Sequence, residues 1–177
     1  YAVAAAQSDG MDNCFYLFSG RDYDGDRPWT VHRDGYRYNP RLGAWYRLEG
    51  DFPVMAGTAA PFGVNHILFL GGKSHDDATP DNALRLYHTV TGTMTEYPVD
   101  KADFVLPVTT TVVKDGSHLL IASGEVEPGV RTPVVLRGEV RSKLHPMGWL
   151  DIAVIVLYFL SLAWIGWYFS KNQKSTG

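Results

Sequence analysis

The chain has 177 residues, a formal net charge of −3 and a single cysteine, Cys14. That charge gives no electrostatic reason to expect a nucleic-acid partner, and one cysteine excludes an internal disulfide. With 13% aromatic and only 20% charged residues the composition excludes disorder and fits an ordered β-protein with a membrane-associated part.

From the N-terminus, three stretches line up without a gap: VAAAQSDGMDNCFYLFSG (Val3–Gly20), MAGTAAPFGVNHILFLGG (Met55–Gly72) and PVTTTVVKDGSHLLIASG (Pro107–Gly124). Their closing glycines stand 52 apart both times (72−20 and 124−72). A fixed period of this size marks a tandem array whose units stack to bury their faces. Each copy is a small or β-branched run, a turn (Ser8-Asp9-Gly10, Phe62-Gly63, Asp115-Gly116) and a second apolar run, which predicts a hairpin. Cys14 alternates into the second run beside Phe15, the place of a buried structural thiol rather than a nucleophile.

Further strands follow at matching places, Gly35–Leu48 and Ala83–Pro98. There Tyr38/Tyr87, Gly43/Gly92 and Trp45/Met94 are each 49 apart (87−38, 92−43, 94−45), so a full unit has four strands. Tyr36, Tyr38, Trp45 and Tyr46 recur at strand spacing and are expected to pack between units. Between these strands RDYDGDR imitates the opening of a calcium loop, but the twelfth position from Asp22 is Arg33 where a glutamate is needed, so a polar turn is expected. The six histidines show no paired ligand spacing, which gives a copper-oxidase reading little support.

Four antiparallel strands in roughly 50 residues, with glycines closing the second strand, suit a propeller blade. The segments LFSGRD, LFLGGK, YNPRLGAW and YHTVTGTM resemble kelch motifs. The resemblance implies an all-β fold: a partial kelch-type β-propeller of two blades plus three strands of another over residues 1–140. Propellers usually close with about four to eight blades. The chain is therefore expected to be a piece of a longer protein, with the remaining blades upstream.

Because the units are in register, Arg21, Lys73 and Glu125, each just after a closing glycine, are expected to converge at one mouth of the central channel. Two cations and a carboxylate there suit an anionic sugar, although solvated rim charges are the competing reading for Arg21 and Lys73.

The segment SGEVEPGVRTP (Ser123–Pro133) carries a Gly-Glu-x-x-Pro-Gly-x-Arg-Thr pattern. It closely resembles the signature of the cyclically permuted mutarotases, the N-acetylneuraminate epimerase group. In that family the matching glutamate and arginine are the proposed site residues, so the resemblance implies Glu125 and Arg131 as the catalytic pair and a sialic-acid-like substrate. Mutarotation removes a proton from the anomeric hydroxyl and supplies one to the ring oxygen. Glu125 would carry the proton if partial burial raised its pKa towards neutrality. Arg131 would grip the substrate carboxylate, and no metal or organic cofactor is required. A two-residue hairpin centred on Pro128-Gly129 would set Glu125 opposite Thr132, on the other side of the sheet from Arg131. A shared site therefore predicts a wider loop. A solvated ion pair is the competing account, and a propeller that binds a sugar or a partner protein without chemistry is the competing function.

Residues 141–149 read as a linker. Ile152–Phe169 then runs 18 residues without a charge, flanked by Trp149, Trp167 and Tyr168, and predicts a transmembrane helix over 150–171 followed by a loop at 172–177. Lys171 and Lys174 follow the span while Arg137, Arg141 and Lys143 precede it, so charge alone does not decide its orientation.

The stretch Leu150–Asn172 resembles the first helix of the sodium/solute symporter family. A kelch-like propeller joined to such a helix resembles a bacterial arrangement in which a sialic-acid mutarotase precedes a sodium-coupled transporter. That resemblance implies a propeller outside the cytoplasmic membrane, with Lys171 and Lys174 inside. It also implies further symporter helices downstream, which would hold the Na+.

Overall fold

The computed structural model describes residues 1–22, 25, 30–73, 79–98, 104–139 and 147–172. The chain divides into two compact units, Tyr1–Val140 and Arg141–Gly177. Asp24 and Asp26 of the polar turn, linker residues 141–146 and loop residues 173–177, Lys174 among them, lie outside the described residues.

Among the described residues the first unit is three antiparallel sheets. In the first, β1 (Val3–Ser8), β2 (Asn13–Arg21), β3 (Val31–Asn39) and β4 (Ala44–Leu48) lie side by side in chain order. The second repeats this with β5 (Thr58–Phe62), β6 (His66–Leu70), β7 (Ala83–His88) and β8 (Thr93–Pro98). In the third, β10 (His118–Glu127) lies between β9 (Val112–Asp115) and β11 (Val130–Glu139). Two four-stranded blades and three strands of another are the partial kelch-type propeller that the period predicts.

Local chemistry sets the hairpins. Asp9 Oδ1 accepts the Met11 and Asp12 amides at 3.0 and 2.8 Å, turning β1 into β2. Asn39 Oδ1 does the same with the Arg41 and Leu42 amides at 2.9 and 3.1 Å between β3 and β4.

The period also fixes a backbone kink. Ser19/Gly20, Gly71/Gly72 and Ser123/Gly124 all have positive φ, with values of 55/128, 63/145 and 64/137°. The second position of each pair is glycine because the segment leading into the innermost strand crosses it closely. A Cβ would stand 3.3 Å from Ala2 Cβ at Gly20, 3.0 Å from Val54 Cα at Gly72 and 2.6 Å from Pro107 Cβ at Gly124.

Strand alternation makes the core. Tyr16 and Phe18 of β2 share one core cluster with Ile67 and Phe69 of β6, which also takes in Phe52 and Tyr87. Phe18 meets Phe69 edge to face at 4.9 Å. Leu68 and Leu70, on the opposite face of β6, pack against Leu119 and Ile121 of β10. The middle sheet is thus covered on both faces, so β6 reads as an unbroken apolar run, Ile-Leu-Phe-Leu. Each such side chain contributes about 1.5–3 kcal/mol by leaving water. At one end the sheets are tied by Gln7 Nε2 donating to His66 O at 2.7 Å and Thr89 Oγ1 donating to Ser8 O at 2.5 Å. At the other, Thr109 N donates to Ala56 O at 2.7 Å and Ala56 N to Tyr1 O at 2.8 Å, linking the three units in succession.

The aromatic expectation is only partly met. Trp45 and Tyr46 are 52% and 39% exposed on β4, the outermost strand of its sheet, where Trp45 rests on Tyr38 at 5.1 Å. They do not pack between sheets. Cys14 is buried, with Sγ 3.5 Å from Asp9 Oδ2, and burial first and the neighbouring carboxylate second push its thiol up to about 11.

The second unit holds one helix, α1 (Trp149–Asn172). Asp151 Oδ2 accepts the Gly148 amide at 2.8 Å and caps its start. Near its end the Lys171 ammonium lies 5.2 Å from the Trp167 ring centre. Trp149–Lys171 is long and apolar enough to cross a membrane, and its side chains are exposed almost throughout.

Candidate functional site

The three kinked glycine pairs deliver Arg21, Lys73 and Glu125 to the ends of β2, β6 and β10. All three line one cavity of about 370 Å³, together with Tyr1, Thr109 and the Pro128-Gly129 turn. The convergence expected from the period is present.

Backbone bridges hold two of them in place. Lys73 N donates to Met55 O at 2.9 Å, while Glu125 and Val108 exchange both amide bonds at 2.9 Å. The corresponding residues are 52 apart on one side (125−73) but 53 on the other (108−55), so the third sheet carries a one-residue offset in the segment leading into its innermost strand. Ala56 and Thr109, next to these bridges, share the left-handed backbone, with φ of 58 and 51°. For β-branched Thr109 this is a strained conformation, and its Oγ1 is buried without a hydrogen-bond partner among the described residues.

The Lys73 side chain is only 8% exposed and its Nζ lies 3.7 Å from Glu125 Oε1, whose side chain is 23% exposed. Arg21 places its guanidinium 4.1 Å over the Tyr1 ring at the same cavity. Two cationic side chains and one carboxylate thus line the same cavity.

The Glu125–Arg131 segment corrects the predicted loop. Pro128-Gly129 is a tight two-residue turn, with Gly129 at φ 76° and Glu127 paired to Val130. A β-bulge at Val126 then shifts the register by one, so that Glu125 pairs with Arg131 and Gly124 with Thr132. The pairing needed for a shared site is reached through a bulge, not a wide loop. The side chains nevertheless point to different places. Exposed Arg131 lines a neighbouring cavity of about 500 Å³, and Thr109 borders both.

Sequence spacing did not reveal Tyr1 or Thr109 as site residues, because neither carries a motif. It also missed a pair of histidines. His66 and His88 are cross-strand partners with ring centres 4.5 Å apart, and burial first, then the charge of His88, lowers the pKa of His66. Among the described residues no group of three or more His, Cys, Asp or Glu side chains is placed to hold a metal ion.

No protein-family profile and no curated protein matches the chain. Among solved structures it is similar to that of YjhT, with a TM-score of 0.59 and 18% identity over 82% of this chain. The chain spans about half of that structure, 53% of its length. At this identity the likeness speaks for the fold alone, the kelch-type propeller that the three sheets build.

Proposed function

We propose that the propeller is a sugar-acid mutarotase acting on N-acetylneuraminate-like sugars. The observation that carries the reading is the meeting of Arg21, Lys73 and Glu125, from three different sheets, at one cavity of monosaccharide size. The mutarotase-like pattern at Glu125 and Arg131 adds the reaction class. In this reading Glu125 takes the proton of the anomeric hydroxyl, and Arg21 holds the substrate carboxylate. Arg131 acts as a second grip by folding over Thr109 from the adjoining cavity.

We further propose that α1 is the first helix of a sodium-coupled solute transporter served by the propeller. The propeller then stands on the extracytoplasmic side of the cytoplasmic membrane, and the Na+ belongs to later transporter helices. The apolar span of α1 and its likeness to a symporter's first helix support this part.

The deciding experiment follows anomer interconversion of N-acetylneuraminate by NMR. Glu125→Gln, which keeps the shape and removes the base, is expected to lower the rate by about 100-fold or more. A mutant as fast as the unmodified protein retires the mutarotase reading. It would leave a propeller that captures the sugar without chemistry, a reading that the separation of Arg131 from the Glu125 cavity favours.

A further inference from the structure

We infer that Lys73 is the acid of the same reaction, the group that protonates the ring oxygen while Glu125 removes the proton of the anomeric hydroxyl. The inference rests on the mutarotase reading and deepens it.

The first observation is an ion pair that stays open to the cavity. Lys73 is 6% exposed as a residue, yet its ammonium makes no hydrogen bond among the described residues. The Glu125 carboxylate makes none either, and the 3.7 Å between Nζ and Oε1 is longer than a hydrogen bond. At this separation the donors of Lys73 and the acceptors of Glu125 remain open to a ligand in the cavity that both line.

The second observation is spacing. The ring oxygen and the anomeric hydroxyl are bonded to one carbon, so the acid and base acting on them must stand side by side within about 3 Å of their own oxygens. A lysine and a glutamate 3.7 Å apart at one cavity satisfy that demand. Arg21 does not, because a guanidinium holds its proton.

The step balances. Glu125 takes the hydroxyl proton, the hydroxyl oxygen becomes the carbonyl oxygen, the bond from the anomeric carbon to the ring oxygen breaks, and Lys73 delivers a proton to the departing ring oxygen. After rotation exposes the other carbonyl face the transfers reverse. Lys73 recovers its proton from the attacking hydroxyl, Glu125 returns its own to the carbonyl oxygen, and the opposite anomer leaves with both groups reset. No oxidant, metal or co-reactant enters.

The test uses the complete polypeptide in detergent, with the NMR assay run on Lys73→Arg and Lys73→Cys. Arginine keeps the charge but cannot release a proton. It is expected to leave KM within about threefold and to lower kcat by about 100-fold. The cysteine variant is expected to be equally slow, and alkylation with bromoethylamine, which rebuilds an ammonium at lysine length, is expected to restore at least a tenth of the rate. Cys14, the chain's own cysteine, is buried with its thiol pushed up to about 11, and so escapes the reagent. Lys73→Arg at full kcat, or a cysteine variant that stays inert once alkylated, overturns the role of Lys73 while leaving the mutarotase reading intact. An unmodified protein no faster than buffer overturns both.

Discussion

Thr109 N donates to Ala56 O at 2.7 Å, and both residues hold left-handed backbone at equivalent places in adjoining units. This bond, with the next one from Ala56 N to Tyr1 O at 2.8 Å, joins the inner ends of the three sheets. It is also why Arg21, Lys73 and Glu125 meet: each sits at the strand end that the linked segments cross. For Thr109 the geometry is strained, because a β-branched side chain disfavours positive φ. Thr109→Gly keeps the amide and removes the strain, and is expected to raise stability by up to about 1 kcal/mol in thermal unfolding. Destabilisation by more than about 1 kcal/mol would show that the threonine side chain holds the junction.

The closing glycines make a sharper prediction. Gly124 combines φ 137° with an inner segment so close that a Cβ would lie 2.6 Å from Pro107 Cβ, whereas Gly116 has φ 57° and open space. Gly116→Ala is expected to cost about 1 kcal/mol, the conformational part alone. Gly124→Ala adds the collision and is expected to cost about 3 kcal/mol or more, lowering Tm by roughly 10 °C. Equal losses in the two variants would mean that the segment moves aside and that the pair of glycines is a turn preference, not a packing requirement.

The same contrast explains what the sequence made legible. A residue that must be glycine at each crossing leaves a mark at fixed spacing, so the period, the hairpins and the convergence of Arg21, Lys73 and Glu125 were readable. The bulge at Val126 was not, because nothing in Glu-Val-Glu-Pro-Gly says which residue the partner strand will skip. The sequence therefore points to a wide loop where a tight turn and a bulge stand, and it does not show the direction of Arg131. The exposure of Trp45 and Tyr46 was hidden for a related reason. Their alternation is that of any strand, and only their place on the outermost strand leaves them open to water. His66 and His88 are 22 residues apart (88−66) and become neighbours only through the register of β6 with β7.

Asp9 gives a pH prediction. Burial by itself would raise its pKa, but the Asp12 and Met11 amides, the Cys14 thiol and the charge of Arg37 prevail, and the net shift is downward. A carboxylate depressed in the fold contributes stability above the ordinary aspartate value of about 3.9, and that contribution is lost as pH falls through the lower folded value. Asp9→Asn keeps the acceptor for the turn amides and removes the charge facing Arg37 Nη1 at 2.9 Å. Denaturant unfolding at pH 7 is expected to show the variant less stable by about 1–2 kcal/mol. The gap should close steadily below about pH 4. A gap of constant size down to pH 2 would assign the loss to the altered turn and not to the ionised carboxylate.

The last prediction concerns α1. Ile152–Phe169 carries no charge, so if the helix spans a bilayer its middle lies near Leu160, within Trp149–Lys171. An arginine there faces hydrocarbon and costs about 2.5–3.5 kcal/mol in insertion, enough to shift a single span substantially towards the non-inserted state. At Ser170, next to Lys171 at the helix end, an added arginine reaches the interface and costs little. Alkaline carbonate extraction of membranes is expected to release a large share of Leu160→Arg while the unmodified chain and Ser170→Arg stay in the pellet. If Leu160→Arg is retained as firmly as the other two, α1 is held by something other than insertion as an isolated apolar helix, and its reading as a membrane span falls.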